Sequence, residues 1–198
     1  MNPHDYQRNL PHLLPPGETV FITFRLAGSL PEKLLEELRE EYAAPVGVVE
    51  TWEASYARQK RYFGKFDALL DKSAGGPVWL QEPAVVALVV QGLQYFHGRA
   101  YDLVCYCIMP NHVHMVATLL DEGEPMTRAL QSIKAFTGRE ANKLLGRTGQ
   151  FWHRESYDHV VRNPAEMRNI ISYTLENPVR AGLADDWQQW PYSWWHEM

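Results

Sequence analysis

The chain has 198 residues, 45% hydrophobic and 22% charged, with a net charge of −5 and a pI of about 5.9. That composition is ordinary for a globular protein with one substantial core, and the acidic balance argues against wholesale coating of nucleic acid. The longest apolar run, Ala84 to Leu93, is broken by Gln91 and is too short to span a bilayer, so no membrane role is expected. The N-terminus has no basic start followed by an apolar stretch, which speaks against a signal peptide. The two cysteines, Cys105 and Cys107, suggest no disulfide framework, and a reduced, cytoplasmic setting fits them.

Residues 1–16 carry prolines and histidines without periodicity and read as a loosely docked arm. Thr19 to Leu26 alternates and is β-rich, which predicts a strand closed at Gly28. Ser29 is expected to cap a helix with Pro31 and Glu32 in its first turn, running to about Tyr42. Pro45 to Trp52 fits either a short strand or a loop. Glu53 to Leu70 reads as a helix carrying a basic knot, Arg58, Lys60, Arg61 and Lys65, with Tyr62 and Phe63 interleaved. Asp71 to Pro77 is a break. Glu82-Pro83 then opens a strongly apolar helix, with Val86, Val89, Val90, Leu93 and Phe96 on its inner face and His97-Gly98 at its end.

Tyr101 to Leu119 reads as a hairpin containing Pro110-Asn111-His112-Val113-His114. Pro-Asn marks the turn, and positions i and i+2 of a strand share a face. Both imidazoles therefore project side by side, at a separation one metal ion can bridge. Two hydrogen-bonded histidines facing water satisfy the same spacing, and spacing alone leaves both open. Cys105 and Cys107 could share that face and complete a Cys₂His₂ zinc site.

After an acidic loop at 121–124, Met126 to Leu145 has the pattern of a long amphipathic helix, with Leu130, Ile133, Phe136, Ala141 and Leu144 as core candidates. Charge is concentrated here: Arg128 to Leu183 holds nine Lys or Arg against five acids, among them Lys134, Arg139 and Arg154. Such a patch can track phosphates or be simply solvated. Gln150 to Arg162 is extended and ends in a strand. Asn163-Pro164-Ala165-Glu166 is a sharp helix start, with an Asn cap, Pro in the first turn and Glu three residues after the cap. Asn177-Pro178 stops that helix. A tail at 184–198 holds four of the seven tryptophans. Strands mixed with helices in this order give an α+β class, in one domain spanning 1–198 with a helical insertion at about 45–80.

Pro110-Asn-His-Val-His114, Gln150-Phe-Trp-His-Arg-Glu-Ser-Tyr-Asp-His159 and Tyr173-Thr-Leu-Glu-Asn-Pro-Val-Arg-Ala-Gly-Leu183 together resemble the REP-associated tyrosine transposases. These are single-tyrosine members of the His-hydrophobic-His class. Lys134-Ala-Phe-Thr137 and Trp190-Pro-Tyr-Ser193 also match family positions. The resemblance runs from about Thr19 to Ser193. It implies a ferredoxin-like antiparallel sheet with helices packed on it, binding single-stranded or hairpin DNA. It implies strand cleavage by Tyr173, with a 5′-phosphotyrosyl link, and a divalent ion (Mg²⁺ or Mn²⁺) held by His112 and His114. Asn177, at i+4 from Tyr173, is the expected third ligand, and Glu176 is the fallback. Tyr157 is the rival nucleophile. DNA contacts are expected at Arg58, Lys60, Arg61, Lys65, Lys134, Arg139 and Arg154, with Tyr62 or Phe63 available to stack on a base. His153 and His159 are read as structural histidines. A monomer is favoured over a homodimer. A non-cleaving hairpin-binding module and a different His-metal phosphohydrolase are the competing functions.

Overall fold

The structure, a computed structural model, describes residues 5–7, 11–45, 47, 49–72 and 75–196. Two short strands, β1 (Asp5–Gln7) and β2 (Pro11–Leu13), pair antiparallel where an irregular arm was expected. Next come β3 (Thr19–Leu26), α1 (Glu32–Glu41), α2 (Trp52–Lys72) and α3 (Pro83–Phe96). The chain continues through β4 (Tyr101–Ile108), β5 (His112–Leu119), α4 (Met126–Leu144), β6 (Trp152–Val160), α5 (Pro164–Leu175), α6 (Asn177–Arg180) and β7 (Ser193–Trp195). Residues 28–77 form one compact unit and the rest of the chain another.

The larger unit is built on a five-stranded antiparallel sheet in the order β6-β3-β5-β4-β7. The histidine strand β5 is its centre, so both of its backbone edges are hydrogen-bonded. The period of two divides each strand between two faces. Val113, Met115, Ala117 and Leu119 of β5 join Val20, Ile22, Phe24 and Leu26 of β3 in the main core. Val85, Val86, Val89 and Leu93 of α3, with Ala129, Leu130, Ile133 and Ala141 of α4, close that core. Each Val, Leu, Ile, Phe or Met side chain among these, taken out of water, stabilises the fold by about 1.5–3 kcal/mol. The α3–α4 approach depends on Gly92, where a Cβ would lie 3.2 Å from Thr137 Cγ2. Leu144, a core candidate by pattern, is 57% exposed instead. Leu145, just past the helix end, packs against the core in its place.

The other face of the sheet carries the even residues of β5 and the odd residues of β3, and α5 packs on it across β4 and β5. The start of α5 follows its sequence signature. Asn163 Oδ1 accepts from the Glu166 amide at 2.9 Å, and Glu166 Oε2 accepts from the Arg162 amide at 2.9 Å. The C-terminal tail supplies β7, which pairs Cys105, Tyr106 and Cys107 with Trp195, Trp194 and Ser193.

In the smaller unit Leu30, Leu35 and Leu70 form a local core with Leu34, Phe66 and Leu69. Ser29 does not cap α1. The cap position is Pro31, with no side-chain hydrogen bond, and Ser29 is buried beneath Gly76, whose Cβ would fall 2.9 Å from its backbone. Residues 49–51 are irregular, and α2 begins at Trp52.

Candidate active site

His112 and His114 are both 0% exposed, so the reading of two histidines facing water does not describe them. Their Nε2 atoms converge to 2.9 Å. Each Nδ1 is engaged from behind: His112 Nδ1 lies 2.6 Å from Asn111 Oδ1, and His114 Nδ1 lies 2.6 Å from Thr23 Oγ1. A side-chain carbonyl oxygen can only accept, so His112 donates from Nδ1 and its Nε2 carries the lone pair. An oxygen partner behind each ring, with both Nε2 atoms pointing to one spot, is how proteins orient metal-binding imidazoles.

Sheet register explains why Thr23 reaches this position. Ser193, Cys107, His114, Thr23 and Tyr157 stand opposite one another on β7, β4, β5, β3 and β6. One row of side chains thus crosses all five strands on this face. In the next row Arg25, 4% exposed, is opposite His112. Neither Thr23 nor Arg25 was singled out from sequence. The signal was present in their i, i+2 spacing, which matches that of the histidines, but the pairing register was needed to use it.

Tyr173, half-buried on α5, has its ring centroid 6.1 Å from that of His114 and 6.1 Å from that of Phe21. Phe21 in turn stacks on His114 at 5.5 Å and meets Tyr157 edge-on at 6.3 Å. Both tyrosines considered for the chemistry therefore lie on the histidine face. The Tyr173 ring is in contact with His114. The guanidinium of Arg180 covers the Tyr173 ring, with its carbon 3.9 Å from the centroid.

Asn177 opens α6 and is 0% exposed, with neither Oδ1 nor Nδ2 hydrogen-bonded among the described residues. A buried amide in that state costs about 1–3 kcal/mol, and it is the kind of side chain that a ligand satisfies. His112 and His114 are a buried pair of imidazoles, of the chemistry that binds a divalent ion. Among the described residues no metal-binding cluster joins Cys105 and Cys107 to the two histidines. Burial pushes the Cys105 thiol up to about 12. His153 and His159 are engaged structurally: His153 Nδ1 accepts from the Glu155 amide, and His159 lies 3.1 Å from Glu166.

The basic residues divide. Lys134, Arg139 and Arg154 line one cleft of about 790 Å³ between α4 and β6, with Gln131, Asn142 and Gln150. Lys134 holds this cleft together: its Nζ donates to the His153 and Arg154 carbonyls and, at 2.7 Å, to Ser156 Oγ. In the smaller unit Arg58 is paired with Glu50 and Lys65 with Glu41, each at 2.8 Å, while Lys60 and Arg61 are exposed. Phe63 is buried, and the half-buried Tyr62 stacks on Phe66.

No family model matches the chain. A Haemophilus influenzae protein assigned as a REP-associated tyrosine transposase is 25% identical over 105 residues, covering 48% of this chain and 60% of the relative. The REP-associated tyrosine transposase of Escherichia coli K12 is 25% identical over 99 residues, covering 50% and 56%. This chain is similar to REP-associated tyrosine transposases over about half of its length. The matches span less than two thirds of the length of either REP-associated relative. A solved REP-associated tyrosine transposase, described as bound to a REP hairpin, shares the fold with a TM-score of 0.52 and 16% identity, over 95% of this chain and 80% of that one. Among the described residues no helix is long and apolar enough to cross a membrane.

Proposed function

We propose that the protein cleaves and rejoins single-stranded or hairpin DNA through a 5′-phosphotyrosine at Tyr173, with a divalent ion at His112 and His114, acting as a monomer. The observation that carries this reading is the ring of Tyr173 against His114, beside two imidazole Nε2 atoms that converge at 2.9 Å. The residues present fit an ion: two oriented imidazoles, and a buried amide at Asn177 with no partner among the described residues. Hard divalent ions want oxygen donors as well, and Asn177 and Glu176 are the candidates. Bound there, Mg²⁺ or Mn²⁺ would supply positive charge for the non-bridging phosphate oxygens.

The phenol oxygen of Tyr173 attacks phosphorus, forming the Oη–P bond and breaking the P–O3′ bond. The phenolic proton passes to solvent, and the departing 3′ oxygen takes up a proton. Reversal by a 3′-hydroxyl rejoins strands. The α4–β6 cleft, with Arg139 and Arg154, is our candidate for holding the DNA backbone, and Lys60 and Arg61 are a second one.

The test is incubation with labelled hairpin oligonucleotides from the gene's own neighbourhood, with and without Mn²⁺. Wild-type protein should form a covalent adduct only with metal, and Tyr173→Phe should form none. An adduct persisting in Tyr173→Phe rejects the nucleophile. Salt-sensitive binding with no nicking under any metal would favour a binding module. Turnover of small phosphodiesters by Tyr173→Phe would favour a phosphohydrolase.

A further inference from the structure

The helix stripe that carries Tyr173 runs on through Asn177 to Arg180, at i, i+4 and i+7. Pro178 lacks an amide hydrogen, so the helix breaks after Leu175 and restarts as α6, of which Arg180 is the last residue. Gly182, at φ +70°, turns the chain away beyond it. Helical side chains lean toward the N-terminus, which lets Arg180 reach back along the stripe to the tyrosine. Its Nη1 donates to the Tyr173 carbonyl oxygen at 3.0 Å, while its guanidinium carbon lies over the ring, 3.9 Å from the centroid. The same ring meets Phe21 and His114 edge to face.

We infer that Arg180 is a positioning residue: it clamps the Tyr173 ring so that the hydroxyl is presented in line with the scissile phosphate. The inference rests on the reading of Tyr173 as nucleophile. Without a clamp, a half-buried tyrosine on a helix can move between staggered side-chain wells. In-line attack tolerates little of that, since a misplacement of about 1 Å lowers a rate about 100-fold. Arginine suits the task where lysine does not, because its flat guanidinium stacks on a ring while also hydrogen-bonding in its own plane. Arg180 is exposed, so its removal leaves the core intact.

The experiment uses the full chain with hairpin DNA and Mn²⁺ under single-turnover conditions, comparing wild type, Arg180→Ala and Arg180→Lys. In parallel, fluorotyrosine placed at position 173 is read by ¹⁹F NMR without DNA. Arg180→Ala should form adduct about 10- to 100-fold more slowly, with hairpin Kd and melting temperature at wild-type values. Arg180→Lys should not recover the rate, and the ¹⁹F line should move and broaden in both variants. An unchanged rate with an unmoved ¹⁹F line overturns the clamp. So does full recovery with lysine, which would make charge alone sufficient, or a rate loss accounted for entirely by weaker hairpin binding. If Tyr173→Phe still forms adduct, or wild type forms none, it is the nucleophile reading that fails. The ¹⁹F arm still decides whether Arg180 fixes the ring.

Discussion

Replacement of Asn177 by Leu separates the stability of the fold from its use. The amide is 0% exposed, and both of its polar atoms lack a hydrogen-bond partner among the described residues. Leaving it so costs about 1–3 kcal/mol, and leucine fills a similar volume without that cost. Metal-free Asn177→Leu should therefore be more stable than wild type by about 1 kcal/mol, which for a chain of this size raises Tm by about 2–4 °C. Metal should reverse the ranking. At about 100 times its Kd, an ion that binds only the folded state stabilises wild type by about 2.7 kcal/mol. Losing an oxygen ligand should weaken binding at least as much as the 10- to 100-fold that follows loss of an outer partner, leaving a gain of only about 0.4–1.4 kcal/mol. The assay is thermal unfolding of both proteins across a Mn²⁺ titration. The reasoning is refuted if metal-free Asn177→Leu melts lower than wild type, since the amide must then be satisfied in the fold. It is refuted equally if the Mn²⁺-induced shift survives intact.

Thr23→Val removes the oxygen behind His114 while keeping the shape of the side chain. Calorimetry should show Mn²⁺ affinity falling about 10-fold or more, with little change in the core. Lys134→Met should lower the melting temperature by several degrees, because it removes the donor to three acceptors on β6. Arg139→Ala with Arg154→Ala should leave stability alone and reduce the slope of log binding constant against log salt by about 2. Stability should also fall in alkali. Burial lifts the Cys105 thiol from an ordinary 9.0 to about 12 and pushes the Tyr101 phenol up as well. The folded state therefore holds these protons more tightly than the unfolded chain does. The contribution is complete below pH 9 and is lost as pH rises from 9 toward 12, so urea midpoints should drop over that window and drop less in Cys105→Ala.

Features whose physics is local could be read from the sequence. The capped start of α5 needs only Asn163, Pro164 and Glu166 in order, and those residues make the expected bonds. The two histidines share a face because strand geometry allows nothing else. What depended on partners distant in sequence was hidden. Thr23 is 91 positions from His114, and only the antiparallel register of β3 on β5 brings the two together. The strand β7 has three residues, too few for any period to show, and exists because the β4 edge is there to pair with it. Ser29 has the chemistry of a cap, but the close passage of Gly76 holds it elsewhere. Lys134 is bonded to three oxygens of β6, and a sequence does not distinguish such a cation from one facing solvent.

The two parts of the proposed site sit on elements of different construction, and that difference suits the proposed strand transfer. The imidazoles belong to the central strand, hydrogen-bonded along both edges, with Val113 and Met115 buried on the reverse face. A one-residue slip of β5 would exchange core and chemical faces together, so the burial of the odd residues fixes where the histidines point. The phenol comes instead from a helix that breaks one turn beyond it, at Pro178. A tyrosine that carries a severed strand must stay near the metal ligands for cleavage and yield when the new 3′ end arrives. Placing the ligands on the sheet centre and the nucleophile beside a helix break lets the first remain fixed while the second adjusts. On this reading, straightening the helix with Pro178→Ala should slow rejoining more than cleavage, since only rejoining requires the loaded tyrosine to accept a second strand.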